Sequence, residues 1–197
     1  MQNAVDHVAG YDYGAAGLAT SPVTMKELDL LKQTITFDSE DARYLRVAGS
    51  VLEDQTESIV NLWRGVINSM PHLACYFKDA QGNPDEEYKS KVKERFKQWI
   101  IDVCTKPYDQ DWLNYQHEIG LRHMHEKKNK TDGANAAPYI PMRYVLAFTA
   151  VVNDTIKPFL VKKGHSLGVI EKMYKAWCKA VLLHVTLWTQ AYCNAEW

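Results

Sequence analysis

Apolar residues recur along most of this chain at intervals of three and four positions, which is the spacing of one face of an α-helix. The alternation of apolar and polar residues that is typical of strands does not persist anywhere, and the chain shows no internal repeat. The pattern predicts an all-α protein with about six to eight helices. We expect a single domain over residues 23–197, preceded by an N-terminal arm over residues 1–22.

The first two helices can be placed from the residues at their starts. Thr24 and Glu27 have the spacing of a capping box, which predicts a short helix directly after Thr24. Asp38 or Ser39 begins the second helix, and its apolar stripe continues for about 30 residues until Pro71. A helix of this length is often broken by a kink or a corner. The stripe comprises Leu45, Ala48, Leu52, Ile59, Trp63 and Val66.

Turn-forming residues separate four further helices in the rest of the chain. Glycine, proline, asparagine and aspartate are concentrated at residues 78–84 and 129–141, which predicts a turn and a polar loop. The helix before the loop is expected to run to Lys128. Pro158 should kink the helix after the loop or shift its last turn, and Gly164 should end it. The four helices are expected to begin near Tyr88, Asp109, Pro141 and Ser166.

The N-terminal arm is rich in glycine and alanine, and it contains Tyr11 and Tyr13 within the sequence GYDYG. Tyrosine rings can anchor such a segment to the body of the domain. Chain ends are, however, often loose. The sequence leaves both interpretations of the arm open.

Composition and charge exclude several classes of function. The 197 residues carry a net charge of −1, so there is no electrostatic basis for binding nucleic acid. The longest apolar run, residues 180–188, is interrupted by His184 and is too short to cross a membrane. The four cysteines form no CxxC motif, which argues against a thiolate zinc site. Because no secretory signal is present, we expect reduced thiols in a cytoplasmic protein.

The candidate chemistry lies on the helix that precedes the polar loop. Its apolar face is formed by Trp112, Gln116, Ile119 and His123. His123 should therefore point toward the interior. A neutral imidazole facing an apolar slot is what a haem iron requires as its fifth ligand. A core histidine bonded to a backbone carbonyl has the same pattern, so spacing alone leaves both interpretations open.

The charged residues close to His123 are not expected to form a binding site, and Glu118 is expected to be solvated. Glu118 lies on the same helix, and Lys127, Lys128 and Lys130 form a small basic cluster that suits the C-terminus of that helix. A charge run of this size is seldom a binding site.

The last two helices are apolar on more than one side, as the consecutive apolar residues 180–183 illustrate. A helix of this kind either lies deep in a core or forms a second interface. A homodimer through these two helices and burial in a larger single core are both compatible with the pattern. We interpret His184 as a hydrogen-bonded core or interface histidine rather than as a distal haem ligand.

Several separate segments of the chain resemble the protoglobins, the single-domain relatives of the globin-coupled sensors. They occur in the same order over nearly the whole chain and without large gaps. The segments are GYDYG near the start, VLEDQ (51–55), PHL with YF (71–77), RF with WI (95–100), YDQDWLNYQHEIGLRHMHEKKNKTD (108–132), KPFL with KKGH (157–165) and EKMYKAW (171–177).

This resemblance implies a globin fold with an additional N-terminal helix, a buried b-type haem and a homodimer through the last two long helices. His123 directly follows the sequence GLR and matches the proximal iron ligand. Arg64 stands where relatives have tyrosine in the distal pocket, and it could donate to bound O2, pair with a haem propionate or turn to solvent. Met124 stands where relatives often have another histidine. The other residues that match the haem pocket are Trp63, Phe96, Phe148 and Val152.

The expected function is that of a haem-binding globin that reversibly binds O2, CO or NO at a penta-coordinate iron, for gas sensing or handling. An alternative is a haem enzyme that consumes NO or peroxide in the same pocket, an idea supported by Arg64. A dedicated peroxidase is disfavoured because no distal His–Arg pair is evident. A helical scaffold without cofactor is a third hypothesis, supported only by amphipathicity. Because the sequence ends at Trp197, we expect any signalling to pass through a separate protein.

Overall fold

The computed structural model describes residues 8–193, and these residues form eight α-helices, two short 3-10 turns and no strand. The predicted all-α class is therefore confirmed. Residues 1–7 of the predicted arm, like residues 194–197, lie outside the described part of the chain. The helices are α1 (Met25–Thr34), α2 (Ser39–Leu52), α3 (Thr56–Ser69), α4 (Pro71–Ala74), α5 (Glu86–Thr105), α6 (Gln110–Leu121), α7 (Met142–Leu160) and α8 (Leu167–Thr189).

Most helices begin where a polar side chain caps the first turn. The Thr24 hydroxyl accepts from the Glu27 backbone N–H, and the Glu27 carboxylate accepts from the Thr24 N–H. Asp38 and Asp41 form the same reciprocal pair at the start of α2. These bonds satisfy backbone N–H groups that have no partner within the helix. Helices α5, α6 and α8 are capped in a similar way by Asp85, Asp109 and Ser166.

The long helix predicted between Ser39 and Pro71 is two helices, α2 and α3, with a corner at residues 53–55. The Gln55 side-chain amide donates to the carbonyls of Val51 (2.6 Å) and Phe159 (3.2 Å). The Gln55 backbone N–H instead bonds Leu52 O at 2.8 Å, which tightens the last turn. Gln55 therefore ends α2 by taking the Val51 carbonyl that would otherwise continue the helix.

Helix α6 ends at Leu121 rather than at the predicted Lys128. Beyond it the backbone tightens into turns, and His123 N–H bonds Gly120 O at 3.0 Å. The His123 carbonyl accepts from Ile140 N–H at 2.8 Å, so it does not continue the helical ladder. This bond ties the end of α6 to the loop before α7, and it places His123 just past the helix.

Helix α7 continues through Pro158 and ends at Leu160, about one turn before Gly164. Gly164 has φ +73°, a conformation that favours glycine, but it lies in the connection and does not end the helix as predicted. The Phe159 carbonyl near this end is occupied by the Gln55 side chain. The end of α7 and the end of α2 are thus fixed by the same residue.

The apolar sides of α8 are explained by its central position, where it packs against α2, α5, α6 and α7. His184 on α8 is completely buried, and its Nδ1 accepts a hydrogen bond from Trp99 Nε1 at 3.1 Å. The interpretation of His184 as a hydrogen-bonded core histidine is confirmed. No helix within residues 8–193, α8 included, combines the length and apolar character needed to span a membrane.

Candidate functional site

A cavity of about 210 Å³ lies between α3, α5, α7, α8 and the end of α6. Its wall is mostly aromatic and aliphatic, with charged side chains contributed by α5 and by the turns after α6. The wall includes His123 and four of the five other residues predicted for the pocket. Those four are Trp63, Phe96, Phe148 and Val152.

The His123 ring is held in one orientation by two contacts. Its Nδ1 lies 2.8 Å from the Ile119 carbonyl oxygen. The ring also stacks on Trp188, with centroids 5.6 Å apart and an interplanar angle of 20°. Trp188 is itself fixed, because its Nε1 donates to Gln116 Oε1 at 2.9 Å. These protein contacts therefore fix the orientation of the imidazole.

The chemistry of the Ile119 contact sets the tautomer of His123. A carbonyl oxygen only accepts, so the proton must be on Nδ1 and the free lone pair on Nε2. Among the described residues, the only hydrogen bond of this side chain is the one at Nδ1. Burial lowers the pKa of His123, a direction that the Ile119 bond opposes, and the neutral form prevails at neutral pH. A neutral imidazole with an available Nε2 lone pair can bind a metal ion.

The other predicted pocket residues form an apolar wall. Trp63 is buried, and its Nε1 donates to Thr155 Oγ1 at 2.8 Å, so its single polar group is already engaged. Phe96, Phe148 and Val152 contribute no hydrogen-bonding side-chain atoms. This part of the cavity wall is therefore bulky and apolar, and these four side chains provide no free hydrogen-bonding group.

Arg64 does not line this cavity, although the sequence analysis grouped it with the pocket. It is partly exposed and lies beside a separate shallow depression, next to Val92 and the outer side of Phe96. The physical reason is helical geometry, since successive residues are about 100° apart around the axis and Trp63 points inward. Ile67, one turn after Trp63, lines the cavity instead. Val66, which the stripe included, is less buried than Ile67.

The N-terminal arm crosses the charged end of the cavity. The Tyr11 hydroxyl donates to Asp102 Oδ2 at 2.9 Å, and the Tyr11 ring packs edge-on against Tyr115, with centroids 5.3 Å apart. Arg122 bonds the Gly10 carbonyl and, at 2.6 Å, Asp12 Oδ1. For residues 8–22 the structure thus favours an anchored arm over a loose one.

The cavity is also lined by three cationic side chains that the sequence analysis did not assign to it. They are Arg95, Arg122 and Lys128. Arg95 forms a bidentate pair with Asp132, with bonds of 2.9 and 2.5 Å. Glu118, expected in solvent, is only 2% exposed and pairs with Arg122 at 2.9 Å. Lys128, expected to belong to a basic end of the helix without a binding role, is likewise only 2% exposed. The charge run signalled only Lys128 among these residues, and a charge run does not distinguish a buried lysine from a solvated one.

Comparison with known proteins agrees with this architecture. The globin domain of the Geobacter sulfurreducens globin-coupled sensor superimposes with a TM-score of 0.68 at 17% identity, over 87% of this chain and 99% of that one. The globin domain of E. coli DosC, in its ferrous form II, gives a TM-score of 0.62 at 14% identity, over 83% and 97% of the two chains. At such identities the likeness shows the globin fold alone. A search of curated protein sequences gives no match.

The sequence model of one family matches residues 24–197, which is nearly all of the chain and includes every helix described above. This match and the shared fold agree with the resemblance that the separate sequence segments indicated. The chain therefore belongs to the Protoglobin family, and membership of this family implies a haem-binding globin.

Proposed function

We propose that the chain binds b-type haem in this cavity through His123 Nε2, and that the haem-loaded protein reversibly binds O2, CO or NO. The observation that carries the proposal is the state of the His123 ring. Its Nδ1 bonds the Ile119 carbonyl, its Nε2 is left free, and His123 lines the cavity. Haem, when bound, supplies the ferrous iron centre at which diatomic gases bind. The protein would supply the ligating imidazole of His123, its orientation and the surrounding apolar wall.

The residues present fit this cofactor. A tetrapyrrole is a flat apolar ring with a central metal and two carboxylates, and the cavity combines aromatic walls, one free imidazole nitrogen and cations at one end. The hydrogen bond from Nδ1 to a backbone carbonyl is the usual way in which a protein fixes a ligating histidine. The contact between Trp188 and the ring further restricts its rotation.

The apolar part of the cavity wall supports gas binding with little polar discrimination. Trp63, Phe96, Phe148 and Val152 would disfavour water around a bound gas. Because the Trp63 N–H is already donated to Thr155, none of the four offers a free hydrogen-bond donor. A donor would favour partly anionic bound O2, so an apolar wall shifts the balance toward neutral CO.

The alternative of a haem enzyme that consumes NO or peroxide depended on Arg64 as a residue of the haem pocket. Arg64 lies outside the cavity wall and beside a separate depression. His123 Nδ1 is bonded to a carbonyl rather than to a carboxylate, so the imidazole gains no additional basicity from a negative charge. We therefore favour ligand binding over a dedicated enzymatic activity.

The absorption spectrum of the full chain tests the proposal, recorded in ferric, dithionite-reduced and CO-bound forms. We expect a Soret band that shifts on reduction and again with CO. His123→Ala should change or abolish this band, whereas His125→Ala, two residues further on and exposed, should keep the wild-type spectra. Unaltered spectra in His123→Ala would contradict the ligand assignment, and failure of the wild-type chain to take up haemin would contradict the function.

The wider role is part of the same proposal. Similarity to the globin domains of globin-coupled sensors supports a role in gas sensing or handling. We also propose a homodimer through α7 and α8, supported by exposed apolar side chains on or next to these helices. These are Leu146, Val161, Leu167 and Leu182. Sedimentation of the full chain tests the dimer, and a monomeric mass would contradict it. A cytoplasmic location is supported by four cysteines that are all free thiols.

A further inference from the structure

Lys128 is a buried lysine in the wall of the haem cavity. The residue is 2% exposed, and its Nζ donates to the Tyr76 carbonyl at 3.1 Å and contacts Asn129 Oδ1 at 3.4 Å. The ammonium also lies 5.2 Å from the centre of the Tyr88 ring. All these partners are neutral, and within residues 8–193 Lys128 takes part in no ion pair.

The other two cations of the wall differ from Lys128 because each has a carboxylate partner. Arg95 holds both oxygens of Asp132, and Arg122 pairs with Glu118 and Asp12. The second oxygen of Glu118 is taken by Lys127 at 2.5 Å. Asp132, Glu118 and Asp12 are therefore already paired with other cations.

The remaining acid of the wall, Asp102, is also occupied. Its two oxygens accept from the Tyr11 hydroxyl and the Gln98 side-chain amide, each at 2.9 Å. Burial raises the pKa of Asp102, a direction that the bonds from Gln98 and Tyr11 oppose. Within residues 8–193, no carboxylate is therefore paired with Lys128.

A buried cation without a counter-charge is costly, and buried charges in proteins are normally paired. A carboxylate on a bound ligand would supply the opposite charge for Lys128. Burial lowers the pKa of Lys128 to about 8, so the ammonium form still prevails at neutral pH. An ammonium group has three N–H donors, and the contacts to Tyr76 and Asn129 engage at most two of them. At least one donor is left for a ligand in the cavity.

We propose that Lys128 binds a carboxylate of the tetrapyrrole, and so fixes one edge of the cofactor while His123 fixes its centre. This inference rests on the proposed haem function and adds the residue that recognises the acidic edge. Both residues lie in the segment between α6 and α7, which Ile140 ties to the start of α7. The two anchors are thereby held in one piece of backbone.

Haemin and haemin dimethyl ester are the probes, because the ester carries the same iron and ring without the carboxylate charges. The full chain is loaded with either probe, and the rate of transfer to excess apomyoglobin is measured. Lys128→Met removes the ammonium but keeps an unbranched apolar side chain. Lys130→Met is the matched control, since Lys130 is exposed and only two residues away.

We expect the wild-type chain to retain haemin better than the ester, and Lys128→Met to reduce this preference by about tenfold to a hundredfold. This is the range of a hydrogen bond to a charged group. Lys130→Met should keep the wild-type preference. Lys128→Gln, which is neutral but retains a donor for Tyr76, guards against misfolding of the methionine variant and should also lose the preference.

The outcomes separate this inference from the proposed function. An unchanged preference in a Lys128→Met chain that still binds haemin overturns the role of Lys128 alone. Equal acceleration of haemin and ester loss would show a purely structural role and would also overturn it. If the wild-type chain takes up neither probe, the haem function fails, and this inference fails with it.

Discussion

Gly120 is the position at which a single added methyl group should disturb both the fold and the site. It is buried in the last turn of α6, directly against α8. A Cβ atom at this position would lie 2.9 Å from the Trp188 carbonyl oxygen and 3.2 Å from the Trp188 Cα and the Ala191 Cβ. The closest obstacles are backbone atoms, which cannot move aside as a side chain can. Ordinary contacts begin at 3.4 Å, so α6 and α8 would have to separate by roughly 0.5 Å.

The expected magnitude follows from comparing Gly120→Ala with Gly65→Ala. Gly65 lies in the middle of α3, is exposed, and has nothing within 4 Å of a built Cβ. Gly65→Ala should therefore raise the free energy of unfolding by up to about 1 kcal/mol through helix propensity. Gly120→Ala gains no more than this and also incurs overpacking of about 1–3 kcal/mol. We expect Gly120→Ala to be less stable than Gly65→Ala by about 1–3 kcal/mol.

The assay is urea unfolding of both variants and the wild-type chain, monitored by far-UV circular dichroism. All three proteins are compared with the same haem content. Because Trp188 stacks on His123, Gly120→Ala should also alter the absorption spectrum of the haem-loaded chain, whereas Gly65→Ala should leave it unchanged. Equal unfolding midpoints for the two variants would refute the packing argument. A destabilised variant with an unaltered spectrum would refute only the link from α8 to His123.

Two further predictions concern His184 and Arg64. Burial lowers the pKa of His184 to about 3 in the folded chain, whereas the pKa of histidine in an unfolded chain is about 6.5. Between these two pH values the imidazole is protonated only in the unfolded state, so the folded state loses stability as the pH falls below 6.5. From pH 6.5 to 4.5 the wild-type chain should lose about 2–3 kcal/mol more than His184→Gln, measured by urea unfolding at each pH; parallel losses would contradict a neutral buried imidazole. Arg64→Leu should leave the CO and O2 dissociation rates unchanged because Arg64 lies outside the cavity wall, and faster dissociation in flash photolysis would place its guanidinium beside the ligand.

The sequence predicted best where a structural feature depends on residues close together in the chain. The capping bonds of Thr24, Asp38, Asp109 and Ser166 each join groups within three residues, so the helix starts could be predicted from local sequence. The apolar stripe that contains His123 was also visible, although α6 ends two residues before it. The resemblance between separate segments and the protoglobins added the family, which the match over residues 24–197 confirms.

The sequence failed where a residue's role depends on a distant part of the chain. The corner between α2 and α3 is fixed by Gln55, whose side chain reaches the Phe159 carbonyl 104 residues away. Nothing near Gln55 in the sequence announces that partner. Lys128 was grouped with Lys127 and Lys130 in a basic cluster at the helix C-terminus, yet its Nζ bonds the Tyr76 carbonyl across 52 residues.

By itself, then, the sequence determined the helical class, most helix starts, the inward face of His123 and the family. These features follow from hydrogen bonds and periodicity over a few residues, and from similarity along the whole chain. Only the tertiary structure decided that Arg64 lies outside the cavity and that Lys128 lies buried in its wall. Burial and charge pairing depend on which helices pack together, and packing joins residues that the sequence keeps far apart.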